Sequence, residues 1–257
     1  MSDYITTCEQ AAREAGQVLL DWQGRFSVRE KGRADLVTEA DLAAQQTIQS
    51  IIQEKYPDHD FLGEEQDPTQ QESSDSDFRW IVDPLDGTTN YVHGLANYSV
   101  SIALEHKGEL IAGVVYDPVH DKCFQATKGG GAFLNGVALH VSGAEQLEES
   151  LVAASFAAGV DRDSQEIQQF IDVLIRCQAV RRLGSAALNL AYVAAGQLDA
   201  YWASSVKIWD VAAGVLLVQE AGGVVRAIGG GPLDLQTPRL AATSTEKLQQ
   251  ELQQTIG

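Results

Sequence analysis

Trp80-Ile81-Val82-Asp83-Pro84-Leu85-Asp86-Gly87-Thr88-Thr89-Asn90 is the stretch on which the reading of this chain turns. Arg79–Val82 predicts a brief buried strand that delivers Asp83 to its carboxyl end. Pro84, without an N–H, stops the ladder there, and Asp86-Gly87 permits a sharp turn. The residues after Asp86 can open a helix whose N–H groups suit a phosphate. Two carboxylates three residues apart can converge on one cation or bridge two. Magnesium requires hard oxygen ligands in near-octahedral geometry, and a turn leaves the Leu85 carbonyl free to be another. Read alone, Asp-Gly is more often a plain turn.

Three further acidic segments stand around this one. Trp209–Gly223 reads as a nearly all-apolar buried helix, opened by Asp210 and closed by Gly222-Gly223. Alone, Asp210 is a helix N-cap. Phe61-Leu62-Gly63-Glu64-Glu65 ends an apolar stretch in paired acids, which are usually solvated. In Asp35-Leu36-Val37-Thr38-Glu39-Ala40-Asp41, Thr38 and Asp41 have capping-box spacing, with Asp where Glu or Gln is usual.

Outward from these segments the chain alternates. Residues 3–21 form an amphipathic helix, with Ile5, Ala12, Ala15, Val18 and Leu19 at helical spacing. Phe26–Lys31 is extended, 31–35 is a polar loop, and a helix runs from near Thr38 to Lys55. Residues 66–78 are acidic and polar, which predicts a surface loop. Strands follow at 99–105, 110–118 and 122–128, with a strand and turn at 129–136. Then come strand 151–156, helix 164–177, strand 179–182, helix 185–195, strand 199–202, helix 209–221, strand 223–227 and a last helix at 244–254. Sheets with helices between or outside them make a layered α/β or α+β protein.

Composition narrows the function classes. With 257 residues and 44% hydrophobic content, the chain has room for one large domain or two intimate lobes, about 1–140 and 141–257. No run approaches the roughly 20 apolar residues that span a bilayer, and the polar N-terminus lacks the pattern of a signal peptide. Cys8, Cys123 and Cys177 are odd in number and widely spaced, which fits small buried hydrophobes in a reducing cytoplasm. A formal net charge of −18 argues against a nucleic-acid binder. An acidic protein that handles a phosphate dianion needs local positive charge, and metal ions are the evident source.

Together, and in this order, the segments resemble the inositol monophosphatase family of metal-dependent, lithium-sensitive phosphatases. The matching pieces are Asp35–Asp41, Gly63-Glu64-Glu65, Asp83–Asn90, Gly184-Ser185-Ala186-Ala187 and Trp209–Gly223, with Tyr91–Gly94 and Gly131–Gly136 beside them. The resemblance runs from about residue 5 to 245. It implies a layered αβαβα sandwich, usually a homodimer, acting on a small phosphorylated substrate without nucleic acid or membrane. It also implies two to three Mg²⁺ ions. Glu64, Asp83 and the Leu85 carbonyl would form a first metal site. Asp83, Asp86 and Asp210 would form a second, and Glu64 would hold a weaker third ion through waters. Thr88, oriented by Asp41, would position and help deprotonate the attacking water. Gly87, Thr88 and Thr89 would contact phosphate, and Gly184, Ser185 and Ala186 would line the substrate's alcohol portion.

Four ionised carboxylates balance two divalent cations, and a bound phosphate dianion then invites a third. Metals in such a site activate water, clamp phosphoryl oxygens and stabilise the leaving alkoxide. Ser99, Ser101 and His93 suggest no nucleophile–base pair, so no covalent phosphoenzyme is expected. Thr89-Asn90 resembles the inositol branch. One position departs from it: Ala203, followed by Ser204-Ser205, stands where inositol phosphatases typically carry a glutamate, seven residues before the helix-opening aspartate. Related phosphatases of fructose 1,6-bisphosphate, 3′-phosphoadenosine 5′-phosphate or histidinol phosphate therefore remain alternatives, as does a regulatory binding protein that keeps the fold. Lys207 is a solvated lysine or meets an anionic group of the substrate.

Overall fold

The computed structural model describes residues 2–32, 35–66, 76–157 and 159–257, with side chains apart from residues 2 and 30–36. Five layers alternate helix and sheet. The first holds α1 (Ser2–Trp22) and α2 (Glu39–Lys55). Cys8, Ala11, Ala12, Ala15 and Leu19 recur at helical spacing on α1 and are fully buried. They pack on a seven-stranded sheet ordered β3-β4-β5-β6-β7-β8-β9.

Those strands are β3 (Asp60–Gly63), β4 (Phe78–Asp86), β5 (Ser99–His106), β6 (Glu109–Asp117), β7 (Lys122–Thr127), β8 (Gly131–Leu134) and β9 (Val137–Ala138). All neighbours are antiparallel except the parallel pair β3/β4. Alternation assigns the faces: Trp80 and Val82 point to the α1/α2 side, whereas Ile81 points to the opposite core. β1 (Val28–Gly32) and β2 (Asp35–Thr38) pair separately.

The middle layer is α5 (Ala186–Ala194) and α6 (Ile208–Glu220), both buried almost throughout. Beyond it lies a five-stranded sheet ordered β11-β10-β12-β14-β13. It comprises β10 (Leu151–Ser155), β11 (Ala179–Arg181), β12 (Ala200–Ala203), β13 (Val224–Ala227) and β14 (Leu240–Thr243). β10, β11 and β12 are parallel. α4 (Gln165–Leu174) and α7 (Glu246–Ile256) close the outer face. The short α3 (Thr88–Val92) follows β4. This is the αβαβα sandwich expected, and α6 packs on both sheets at its centre. No helix among the described residues is long and apolar enough to cross a membrane.

The structure differs from the sequence reading in several places. β4 does not stop at Asp83 but continues through Pro84 to Asp86. β3 and β14 have no counterpart among the expected strands. In β14, Leu240-Ala241-Ala242-Thr243 is buried on both faces and so carries no alternation to read. Within the expected 31–35 loop, Lys31 and Gly32 end β1 and Asp35 begins β2, while 33–34 lie outside the described residues. The surface loop expected at 66–78 falls mostly on 67–75, which also lie outside them.

Candidate active site

β4 and β5 pair regularly up to Asp83 opposite Ser101, and resume with Asp86 opposite Ser99. Four residues of one strand thus face three of the other, so β4 carries a bulge with one extra residue, and Pro84 sits in it. In a regular strand, residues three apart point to opposite faces. The extra residue brings Asp83 and Asp86 to the same face, the one that looks at α5 and α6. On that face the Ser101 hydroxyl donates to the Trp209 carbonyl at 3.1 Å, and the Ser99 and Ser185 hydroxyls lie 3.4 Å apart.

Neighbouring elements complete a ring of acids. In the parallel β3/β4 pair Gly63 is opposite Val82, which places Glu64 alongside Asp83; the Glu64 N–H donates to the Val82 carbonyl at 3.1 Å. Asp210 is not the N-cap of α6. Lys207 is, and Asp210 stands three residues in, its carboxylate accepting from the Lys207 N–H at 2.7 Å. Asp83 touches the carboxyls of both Glu64 and Asp210. Asp86 accepts from the Ser185 hydroxyl and from the N–H groups of Ala186 (3.1 Å) and Ala187 (2.8 Å), at the start of α5.

Asp41 is buried and uses its two oxygens differently. Oδ2 closes the capping box of α2, accepting from the Thr38 N–H (2.9 Å) and hydroxyl (2.6 Å). Oδ1 lies 3.4 Å from the Thr88 hydroxyl. That hydroxyl also donates to the Leu85 carbonyl at 3.1 Å, so this carbonyl is not unpaired as the turn suggested. It keeps a second lone pair.

Gly87 links strand to helix at φ 100°, and a Cβ there would meet the Asn97 and Gly184 carbonyls at 3.1 and 3.3 Å. Gly184 has φ +88° and leaves no room beside Asn90. The Asn90 amide ties the two loops together, donating to the Asn97 and Leu183 carbonyls at 2.7 Å each, while the Asn97 amide donates to Leu183 at 2.9 Å.

Like charges out of water set the electrostatics. Burial, then the charges of Glu64, Asp86 and Asp210, hold Asp83 well above the usual carboxylate range. Burial, then Asp86, pushes Asp210 up to about 7. Burial raises Asp86 to about 6, against the lowering effect of its Ser185, Ala187 and Ala186 donors. Burial likewise raises Asp41 to about 6. As they stand, no three or more His, Cys, Asp or Glu side chains among the described residues form a ready-made metal cage. The donor set nevertheless suits a hard divalent cation: carboxylate oxygens and a peptide carbonyl, half-buried or buried, with mutual repulsion for a cation to relieve.

The profile of the inositol monophosphatase family matches residues 1–257. The chain belongs to that family. An inositol-1-monophosphatase of Mesorhizobium japonicum is 41% identical over 234 residues, covering 90% of this chain and 87% of that one. A protein of Pseudomonas aeruginosa named Nus factor SuhB is 40% identical over 252 residues, covering 96% and 93%. Among solved structures, the extragenic suppressor protein SuhB of Bartonella henselae superposes with TM-score 0.93 at 37% identity, covering 99% and 98%. The inositol monophosphatase of Anabaena (Nostoc) gives 0.87 at 36%, covering 100% and 95%.

Within this family member, Glu64, Asp83, Asp86 and Asp210 come together, and Thr88 links Asp41 to the Leu85 carbonyl. Thr89 and Gly184 are exposed. Ser185 and Ala186 are buried and direct their donors at Asp86. His93 is exposed and caps α3, Lys207 is exposed, and Ala203 is fully buried in the inter-sheet core. Sequence reasoning missed Asn97, whose tie to Leu183 spans two loops far apart in the chain; nothing local marks it.

Proposed function

We propose that this phosphatase hydrolyses a small phosphate monoester, most simply inositol monophosphate to inositol and phosphate, using two to three magnesium ions and water as nucleophile. The observation that carries the reading is the burial of Asp83 in contact with Glu64 and Asp210, beside Asp86. Such a group of acids is unfavourable in a protein unless a cation neutralises it. Glu64, Asp83, Asp86, Asp210 and the Leu85 carbonyl would hold the ions. Bound there, they would supply Lewis-acid activation of water and charge compensation for the phosphoryl oxygens.

The chain's own groups do the rest. Thr88, between Asp41 and the Leu85 carbonyl, orients the attacking water and passes a proton toward Asp41. The raised position of Asp41 suits a group that accepts one near neutrality. Gly87, Thr88 and Thr89 offer N–H groups to phosphate. Gly184 lines the alcohol portion, whereas Ser185 and Ala186 act mainly by fixing Asp86. The lobes of about 1–140 and 141–257 work as one unit, since the acids come from both. The working form is a cytoplasmic homodimer sensitive to lithium, as the family resemblance implies.

Position 203, a buried alanine at the end of β12, offers no carboxylate to a substrate hydroxyl, so several alcohols are expected to be tolerated. The test is phosphate release from inositol phosphates, glycerol 2-phosphate, fructose 1,6-bisphosphate, histidinol phosphate and 3′-phosphoadenosine 5′-phosphate. A preference for inositol 1-phosphate over glycerol 2-phosphate below about a hundredfold fits the loss of one charge-assisted hydrogen bond. A thousandfold preference refutes this account of position 203.

A second reading, a regulatory protein that keeps the fold, draws support from relatives named Nus factor SuhB. It predicts biological function in an Asp83→Asn variant that releases no phosphate.

A further inference from the structure

Two segments far apart in the chain, 97–99 and 183–185, meet over the Asp86-Gly87 turn and are tied at both ends. At one end the Asn97 amide donates to the Leu183 carbonyl at 2.9 Å. At the other the Ser99 and Ser185 hydroxyls lie 3.4 Å apart. Between the ties, a Cβ on Gly87 would meet the Asn97 carbonyl at 3.1 Å and the Gly184 carbonyl at 3.3 Å, so backbone packs directly on backbone. Asn90, in α3, braces the first tie: its amide donates to the Asn97 and Leu183 carbonyls at 2.7 Å each, and its carbonyl accepts from the Leu95 N–H at 2.8 Å. The Leu183 carbonyl thus takes two amide donors, one for each lone pair. A carbonyl cannot donate, so it is the nitrogen of Asn97 that faces it.

Both tied segments lead to Asp86. Asn97 stands two residues before Ser99, which pairs opposite Asp86 in β5. Leu183 stands two residues before Ser185, the N-cap of α5. The Ser185 hydroxyl and the N–H groups of Ala186 and Ala187 are the donors that hold the Asp86 carboxylate. The orientation of Asp86 therefore depends on where the start of α5 sits against the end of β4. The half-buried Asn97 side chain fixes that separation by direct hydrogen bonding from the β5 side. Outer hydrogen bonds of this kind commonly set the orientation and affinity of metal-binding carboxylates, and small misplacements of a reacting group cost rate steeply.

We propose that Asn97 is a positioning residue: its amide, braced by Asn90, locks the 183–185 segment onto the Gly87 turn and so keeps the α5 donors in place on Asp86. This rests on reading the acids as the metal site of a phosphatase. Asn97 acts through Leu183 and α5 rather than on the substrate, so its effect belongs to turnover and metal affinity and not to KM. A hydrogen bond that served the loop alone would move Tm and neither of these.

The experiment measures kcat and KM at saturating magnesium for the best ester of the panel above, and magnesium affinity by calorimetry with magnesium chloride. It compares full-length wild type, Asn97→Ala and Asn97→Asp. Asn97→Ala should lose kcat about tenfold and bind magnesium about tenfold more weakly, with KM within about twofold of wild type. Asn97→Asp should lose more, because a carboxylate oxygen then faces the Leu183 carbonyl. Asn90 and Asn97 share that acceptor, so the losses of kcat in Asn90→Ala and Asn97→Ala should not add in the double variant. A kcat and a magnesium affinity within about twofold of wild type in both Asn97 variants overturn the proposal, whatever happens to Tm. A wild type that binds no magnesium and releases no phosphate overturns the reading of the acids itself, which separates that failure from a failure of Asn97.

Discussion

Asp41 holds Thr38 with one oxygen and faces Thr88 with the other. Capping and catalytic roles are therefore not alternatives, and substitutions separate them. Thr88→Ala leaves the cap intact; its maximal rate should fall by about 10²–10⁴ while Tm stays near wild type. Asp41→Asn should lose rate and also about 1 kcal/mol of stability, since the amide no longer serves both donors of Thr38. Maximal rate and Tm measured on the same preparations check both, and an Asp41→Asn protein with full rate refutes its role in catalysis. Asp83 and Asp210 call for the opposite sign. Each is held up by burial and by neighbouring acids, so removing one charge relieves repulsion. Metal-free Asp210→Asn should melt higher, by about 2–4 °C for each kcal/mol relieved, yet lose phosphate release by orders of magnitude. A lower Tm would mean that Asp210 serves mainly to cap α6.

The β4 bulge shows where reading a sequence stops. The Asp83-x-x-Asp86 spacing is visible in the chain, and so is Pro84. The extra residue that turns the spacing into a shared face is not, because it depends on the register with Ser99–Ser101 in another strand. The same holds for Glu64, which alone resembles a surface acid and gains its place from the parallel pairing of Gly63 with Val82. The far end of this sheet carries its own prediction. His59 stacks on Phe78 (4.5 Å, 6°) and Tyr56 (4.9 Å, 16°), and the Trp80 indole donates to its Nδ1 at 3.1 Å. Protonation of Nδ1 breaks that bond, and burial lowers the His59 pKa despite Asp58 and Asp60. A lowered pKa means the unfolded chain binds the proton more readily. The stability His59 contributes is therefore complete above the ordinary imidazole value of about 6.5 and is lost as pH falls below it. Between about pH 7.5 and 5.5, on either side of that value, Tm should fall further in wild type than in His59→Phe. Comparing the two proteins cancels the site carboxylates, whose raised pKa values act in the other direction. Equal falls in both would refute the assignment.

Over the whole molecule, long periodic elements are plain in the sequence and short buried ones are not. The helices of the outer and middle layers lie within a few residues of where spacing puts them. β14 escapes because a four-residue strand covered on both faces looks like any apolar run. The arrangement matters for chemistry because the acids come from different layers. Glu64, Asp83 and Asp86 ride on one sheet, and Asp210 on a helix clamped between both sheets. Their convergence is a property of the assembled sandwich, and the central claim is that a divalent cation balances it. That claim is tested most directly by phosphate release from inositol 1-phosphate by purified protein stripped with chelator and then given increasing magnesium. The account predicts no turnover after stripping and full recovery with magnesium, with no recovery in Asp83→Asn at any concentration. Undiminished phosphate release in chelator would contradict it.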